Sequence, residues 1–248
     1  MSDNTAAFFA ALSSELMLGE EEATLEAVAQ RALEVVPGCT AAGISMRQRR
    51  GRVDTVAATS PLVDECDQLQ YDLGEGPCLD AITDDLTYLS NDLANDTRWP
   101  RWGPEVARRG MGSIVSVRLT GDAGSVGAIN MYGAGCGAFD PDSHDLALIY
   151  AVHASNALRA AHQASGLQTA VQSRHLIGLA QGILMQRYDL SMDQAFTVLQ
   201  RYSSHRNIKL RDLAREVVDD RGLRHLEDHT VRRAAPRSRD TASGPTTS

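Results

Sequence analysis

Side chains able to bind a polyanion gather in the last third of the sequence. Arg174, Gln181 and Arg187 follow one another at spacings of seven and six, and Ser203, Asn207, Lys209 and Arg211 stand close together beyond them. Guanidinium and ammonium groups bind phosphate oxygens, while amides and hydroxyls reach base edges and sugars. Taken alone, such charges more simply form the solvated face of a helix. Lys209 is the only lysine in the sequence and the best candidate for a phosphate contact. Asn207 has a second reading, as the cap of a following helix. Gly182 falls inside a helical pattern, where it costs roughly 1 kcal/mol relative to Ala. Either a packed helix or a bound polyanion must approach its backbone closely. Tyr188 and Tyr202 have rings that stack on unpaired bases, although Tyr202 lies on an apolar face and reads as core.

No equally coherent set points to catalysis. The four cysteines, Cys39, Cys66, Cys78 and Cys136, are far apart and form no C-x-x-C pair. They read as reduced, mostly buried thiols. GAGCG at 133–137 opens no helix and lacks a Gly-Lys-Ser/Thr sequence, so it reads as a loop. Neither H-E-x-x-H nor G-x-S-x-G occurs, and the carboxylates are scattered. The expectation is no enzyme, no catalytic residues and no metal ligands; a cofactor is left undetermined.

Charge is unevenly distributed over the elements that must position these groups. The formal net charge is −8. Residues 1–165 carry −12, residues 166–225 carry +3 and residues 226–248 carry +1. Only the basic end suits a polyanion. The start has no signal-peptide pattern, and no run reaches the ~18 apolar residues of a membrane span. A cytoplasmic protein without membrane contact is expected.

Apolar spacing predicts helices over 5–18 and 20–36, the second stopped by Pro37-Gly38. Strands at 40–47 and 53–59 form a hairpin. A helix over 62–70 precedes a Gly/Pro-rich loop over 73–82. A strand at 86–90, a short helix at 103–109 and a second hairpin of 111–120 with 125–134 follow. Gly121, Asp122 and Gly124 suit positive φ in its turn. Pro141 opens a further helix. Polarity rises after Ala161, and helix resumes near 168, with Gly166 as the weak point. That helix, to Arg187, carries Val171, Leu176, Leu179, Ala180, Ile183 and Leu184. Ser191 to Gln194 is a capping box, opening a helix with Ala195, Phe196, Leu199 and Tyr202 on its apolar face. A third helix, about 208–220, carries Leu210, Leu213, Ala214 and Val217. The tail 226–248 is rich in Arg, Pro, Ser, Thr and Gly and is expected to be disordered.

The fold class is therefore α+β: an antiparallel sheet flanked by helices, then a small three-helix bundle. The order of elements over 20–160, GEGPCLDAI and NMYGAGCGAFD (130–140) resemble a GAF domain. Residues 173–218 resemble an ANTAR domain through Arg174, AQGILM (180–185), Ala195-Phe196, Leu199, Ser203, Asn207, Lys209-Leu210 and Ala214. One departure is Gln181, where the ANTAR pattern commonly has Lys. It removes a cation but leaves an amide able to bond a base edge or sugar.

The resemblance implies a division into an N-terminal helix (1–19), a sensor domain (20–162), an RNA-binding module (168–222) and the tail. It implies that Arg174, Gln181, Gly182, Arg187, Ser203, Asn207, Lys209 and Arg211 contact RNA hairpins to promote transcription antitermination. It also implies a small-molecule pocket over the sheet, with Cys78, Tyr88, Trp99, Trp102 and Ser113 as candidates. Ordinary core packing is the competing reading for those aromatics. A homodimer through the sensor domain and the 141–187 helix is expected. Two alternatives stand: a DNA-binding regulator, against which the third helix is acidic, and a ligand-sensing or dimerisation protein that binds no nucleic acid.

Overall fold

The structure is a computed structural model, describing residues 21–84, 86–121 and 124–219. The helix expected over 5–18 and the tail 226–248 lie outside the described residues. The chain divides into two compact units, residues 1–165 and 166–248.

The first unit opens with α1 (Glu21–Val35), which buries Thr24, Val28, Ala29, Ala32 and Val35. Strands β1 (Ala41–Arg47) and β2 (Val53–Ala58) pair antiparallel as the expected hairpin. Helix α2 (Pro61–Leu73) starts with Pro at its first turn and ends at Gly74 in the left-handed region. The expected loop over 73–82 is corrected: residues Pro77–Asp84 form helix α3. Pro77 presets the first turn, and Cys78, Ala81 and Ile82 give a buried face at helical spacing. Strand β3 (Thr87–Ser90) and helix α4 (Trp102–Arg108) follow, then the hairpin of β4 (Ser113–Gly121) and β5 (Gly124–Gly133). Gly121 ends β4 paired with Gly124, without the positive φ expected of it. Asp122 lies outside the described residues.

The five strands form one antiparallel sheet in the order β2-β1-β5-β4-β3. One face, with Ile44, Val115, Val117, Leu119, Ile129 and Met131, packs against α1 and the first half of α5 (Pro141–Tyr188). The other face meets α2, α3 and α4. There Trp99, Trp102, Ile114 and Tyr132 form one apolar cluster, and Cys78, Ala81, Ile82 and Ala128 form a smaller one.

The expected interruption between 162 and 167 is absent. Helix α5 runs without a break for 48 residues, and a Cβ on Gly166 would meet nothing within 4 Å. The polar run HQASGLQ marks exposed helix, because Gln, Ala and Leu are sound helix formers. One glycine there costs stability without ending a helix.

In the second unit, the C-terminal part of α5 packs with α6 (Met192–Arg206) and α7 (Leu210–Asp219). Ala180, Leu184, Leu190, Ala195, Val198, Leu199, Leu213, Ala214 and Val217 make the core. Val171 and Leu179, expected on the buried stripe, are 58% and 44% exposed. Phe196 is half-buried, and Val198 takes the core position beside Leu199. The capping box is present. Gln194 N donates to Ser191 Oγ at 3.3 Å, and Ser191 N donates to Gln194 Oε1 at 2.8 Å. No described helix is long and apolar enough to cross a membrane.

Candidate RNA-binding and sensor sites

The corner between α6 and α7 is shaped by Asn207. It adopts φ 52 and ψ 40, the left-handed conformation that Asn tolerates better than most residues, and closes α6. Its N–H turns back to the carbonyls of Ser203 and Ser204. Asn207 therefore caps the end of the second helix rather than the start of the third. Ser203 Oγ donates to the Ile208 carbonyl at 2.6 Å, fixing the same corner. Asp212 N and Leu213 N donate to the Lys209 carbonyl, which places exposed Lys209 at the entrance of α7. Arg211, half-buried, lies 3.5 Å from Asp212 Oδ1. Ser203, Asn207, Lys209 and Arg211 are thus brought into one corner, with Lys209 and Asn207 exposed.

On α5, the α-helical repeat sets Arg174 and Gln181 within about 20° of each other around the axis. Arg187 lies about 120° from Gln181, so it does not share their face. Arg174 and Arg187 are both exposed, and the Arg187 guanidinium stands 5.9 Å from the Tyr188 ring centre. Gln181 Nε2 donates to the Met192 carbonyl at 3.2 Å, tying α5 to the start of α6. A Cβ on Gly182 would meet nothing within 4 Å. No described helix packs on that glycine, so its backbone lies open on the surface of α5. Tyr202 is half-buried against the core of this unit. Sequence reasoning passed over Arg201 and Arg215, two further exposed cations on α6 and α7. Their presence in the charge count was the available signal.

The five candidate pocket residues of the first unit are mostly closed packing. Trp99 and Trp102 are 1% and 0% exposed and meet edge-to-face with ring centres 6.1 Å apart. Tyr88 joins them, 5.9 Å from Trp99. Trp99 Nε1 donates to Asp80 Oδ2 at 2.7 Å, and Trp102 Nε1 donates to the Cys66 carbonyl at 2.9 Å. Cys78 is buried in the smaller cluster. Ser113 stands apart from these four and donates to the Gly135 carbonyl at 2.6 Å. Burial pushes the thiols of Cys39, Cys66 and Cys78 up to about 12, so they remain protonated and poor nucleophiles. Cys136 is exposed.

Under α2 lies a polar network that the sequence reading missed. The fully buried Asp67 carboxylate accepts four hydrogen bonds. Its Oδ1 takes Tyr132 OH at 2.5 Å, Asn130 Nδ2 at 3.0 Å and Gln70 Nε2 at 3.2 Å; its Oδ2 takes Thr55 Oγ1 at 3.3 Å. Asn130 extends the chain to Ser45 and Ser116, and Gln70 accepts from Cys78 N. Burial pushes the Asp67 carboxyl up to about 6, against the lowering effect of its donors. A Cβ on Gly43 would stand 2.6 Å from Val63 Cγ1 and 2.9 Å from Asp67 Oδ2, so glycine lets β1 pass close to both without displacing them. The signal was polar Ser45, Ser116, Asn130 and Tyr132 set among apolar residues of the central strands. Among the described residues, no group of three or more His, Cys, Asp or Glu side chains is arranged to hold a metal ion.

Comparison with known proteins agrees with this two-part construction. The family model for the GAF domain matches residues 20–159, and that for the ANTAR domain matches residues 165–218. No curated protein matches the chain. Among solved structures, the GAF domain of a phosphoenolpyruvate-protein phosphotransferase from Coxiella burnetii aligns with 67% of this chain and 99% of its own, at 16% identity and TM-score 0.52. Free methionine-R-sulfoxide reductase from Neisseria meningitidis aligns with 66% of this chain and 95% of its own, at 16% identity and TM-score 0.51. These likenesses establish the fold alone. With its GAF match covering more than half of its length and an ANTAR match following it, the chain belongs to the GAF domain family, in the regulatory arrangement that sets a GAF sensor domain before an RNA-binding ANTAR domain.

Proposed function

We propose that this chain is a signal-responsive antitermination regulator acting in the cytoplasm. Its sensor domain, residues 20–162, controls an RNA-binding module, residues 168–222, that binds hairpins in nascent RNA. The observation that carries this reading is how the second unit uses its side chains. Its apolar groups are spent on a closed core, while Arg174, Arg187, Lys209 and the bare backbone at Gly182 face outward. Cations displace the counterions of a phosphate backbone, and an exposed glycine lets that backbone come close. The corner residue Asn207 places Lys209 beside the α6 end, where a hairpin loop can reach both.

The regulator works as a homodimer, with the exposed Val152, Leu167 and Val171 of α5 as apolar contact candidates. A monomer by light scattering at micromolar concentration, with and without RNA, would refute this.

The reading is tested by single-round transcription through a terminator preceded by tandem hairpins. Added protein should increase full-length transcript. Equal read-through with and without protein, on every hairpin-containing leader tried, would sink the antitermination role.

A further inference from the structure

One chain of oxygen atoms in the network under α2 is a hydrogen short while Asp67 is ionised. Asp67 Oδ2 lies 3.3 Å from Thr55 Oγ1, Thr55 Oγ1 lies 2.8 Å from Tyr71 OH, and Tyr71 OH lies 2.7 Å from Ser45 Oγ. A hydroxyl carries one hydrogen. Tyr71 donates its hydrogen to Ser45, so its link to Thr55 takes the Thr55 hydrogen. Ser45 accepts from Asn130 Nδ2 as well, at 3.2 Å, and its own hydroxyl serves Cys78. The link from Thr55 to Asp67 is then filled only by a hydrogen on the carboxyl itself. Ionised Asp67 draws the Thr55 hydrogen instead, and Thr55 and Tyr71 face each other without one.

The other groups around Asp67 hold their charge state. Gly43 and Ser45 of β1, Thr55 of β2 and Ser116 of β4 do not titrate. Tyr71 and Cys66 on α2, Tyr132 on β5 and Cys78 on α3 do, but burial raises all four and keeps them neutral. Among the charged groups of the described residues nearby, Glu65 on α2 is exposed, Asp80 on α3 accepts from Trp99, and Arg109 beyond α4 is paired with Glu105. Asp67 is fully buried, whereas Thr55 and Tyr71 are half-buried, so the chain leads from the carboxyl toward solvent.

We infer that Asp67 with the Thr55–Tyr71–Ser45 hydroxyl chain is a binding site for one proton, whose arrival turns the Thr55 hydroxyl from Asp67 to Tyr71. The balance is simple: one proton from solvent adds to one carboxylate oxygen, and no covalent bond breaks. Uptake changes how α2 is held to the edge strand β2. The hold is a bond to an ionised carboxylate before uptake and a completely filled hydroxyl chain after it. The site lies in the first unit and is read without RNA, so its failure would leave the RNA-binding reading untouched.

The test uses the full chain with ¹³C-labelled tyrosine Cζ, the two resonances assigned with Tyr71→Phe and Tyr132→Phe. The probe is the proton alone, in a pH titration. Tyr71 and Tyr132 should shift with one shared midpoint at about pH 6, and Asp67→Asn should abolish both shifts. In Thr55→Val, checked for native circular dichroism, Tyr132 should still follow Asp67 while Tyr71 loses most of its response. Thr55→Ser should restore it. The site is overturned if neither tyrosine titrates in the parent, or if both still titrate in Asp67→Asn. A full Tyr71 response in Thr55→Val overturns it too, since Tyr71 would then be only an electrostatic neighbour of Asp67. So does a Tyr71 that stays silent in Thr55→Ser. Should Asp67→Asn not fold, the two Thr55 variants decide alone.

Discussion

Tyr132 donates its hydroxyl to Asp67 across 2.5 Å, joining the central strand β5 to helix α2 at a point from which water is excluded. Among the described residues, no cation is a hydrogen-bond partner of Asp67. Burial therefore dominates its ionisation, and the protonated form of Asp67 persists in the folded state up to about pH 6.

That relation has a pH consequence of definite sign. The carboxyl is raised from 3.8 to about 6 on folding. Its contribution to stability is fully present below the unfolded value and is lost as pH rises through about 6. The effect is on the order of 3 kcal/mol at roughly 1.4 kcal/mol per pKa unit. Both tryptophans, Trp99 and Trp102, lie in the sensor domain, so their fluorescence follows its unfolding separately. Urea midpoints should fall between pH 4.5 and 7 in the parent and change much less in Asp67→Asn. A parallel fall in both proteins would contradict the assignment.

Trp102 is core, with its indole N–H spent on the Cys66 carbonyl. Trp102→Ala should destabilise the sensor domain by about 3–5 kcal/mol, and Trp102→Phe by less. Because the substitution removes one of the two fluorophores, the comparison is made by circular dichroism in urea. A near-neutral Trp102→Ala would mean that this ring is a lid and not core.

Gly182 separates stability from recognition. Gly182→Ala should strengthen α5 by about 1 kcal/mol, since a Cβ there meets nothing. The same methyl should weaken RNA binding by obstructing close approach. Hydrogen exchange over 176–188 and RNA titration of one variant read both effects. Lower protection in the variant would show that the glycine serves the fold.

Asn207 holds φ 52 at the corner that presents Lys209. Asn207→Gly should be nearly neutral. Asn207→Val, with a β-branched side chain in the left-handed region, should cost about 1–2 kcal/mol. Faster amide exchange across α6 and α7 in the valine variant alone is the expected signature.

Much of this architecture was legible because its elements carry local signals. Pro141, the Ser191–Gln194 box and the alternating strands mark their own boundaries. Two features were hidden by context. The polar stretch around Gly166 resembles a linker by composition, yet exposed helix has the same composition. Pro77 and Gly76 resemble a loop, yet Pro at a first turn begins a helix. The Asp67 network was hidden for a different reason: its members come from strands and helices far apart in sequence, and only strand register brings Ser116 opposite Asn130. On the RNA side, residue types were legible, but the distribution of Arg174 and Arg187 around α5 required the helix itself.

The most direct test of the RNA-binding account is titration of the full chain into labelled tandem RNA hairpins and matched duplex DNA at several salt concentrations. The parent is compared with the Arg174→Ala, Lys209→Ala double variant. The account predicts tight RNA binding, weak DNA binding, and a double variant with lower affinity and a log–log salt slope smaller by about 2, one for each phosphate contact removed. RNA affinity and slope unchanged in the double variant, or duplex DNA bound as tightly as RNA, would contradict it.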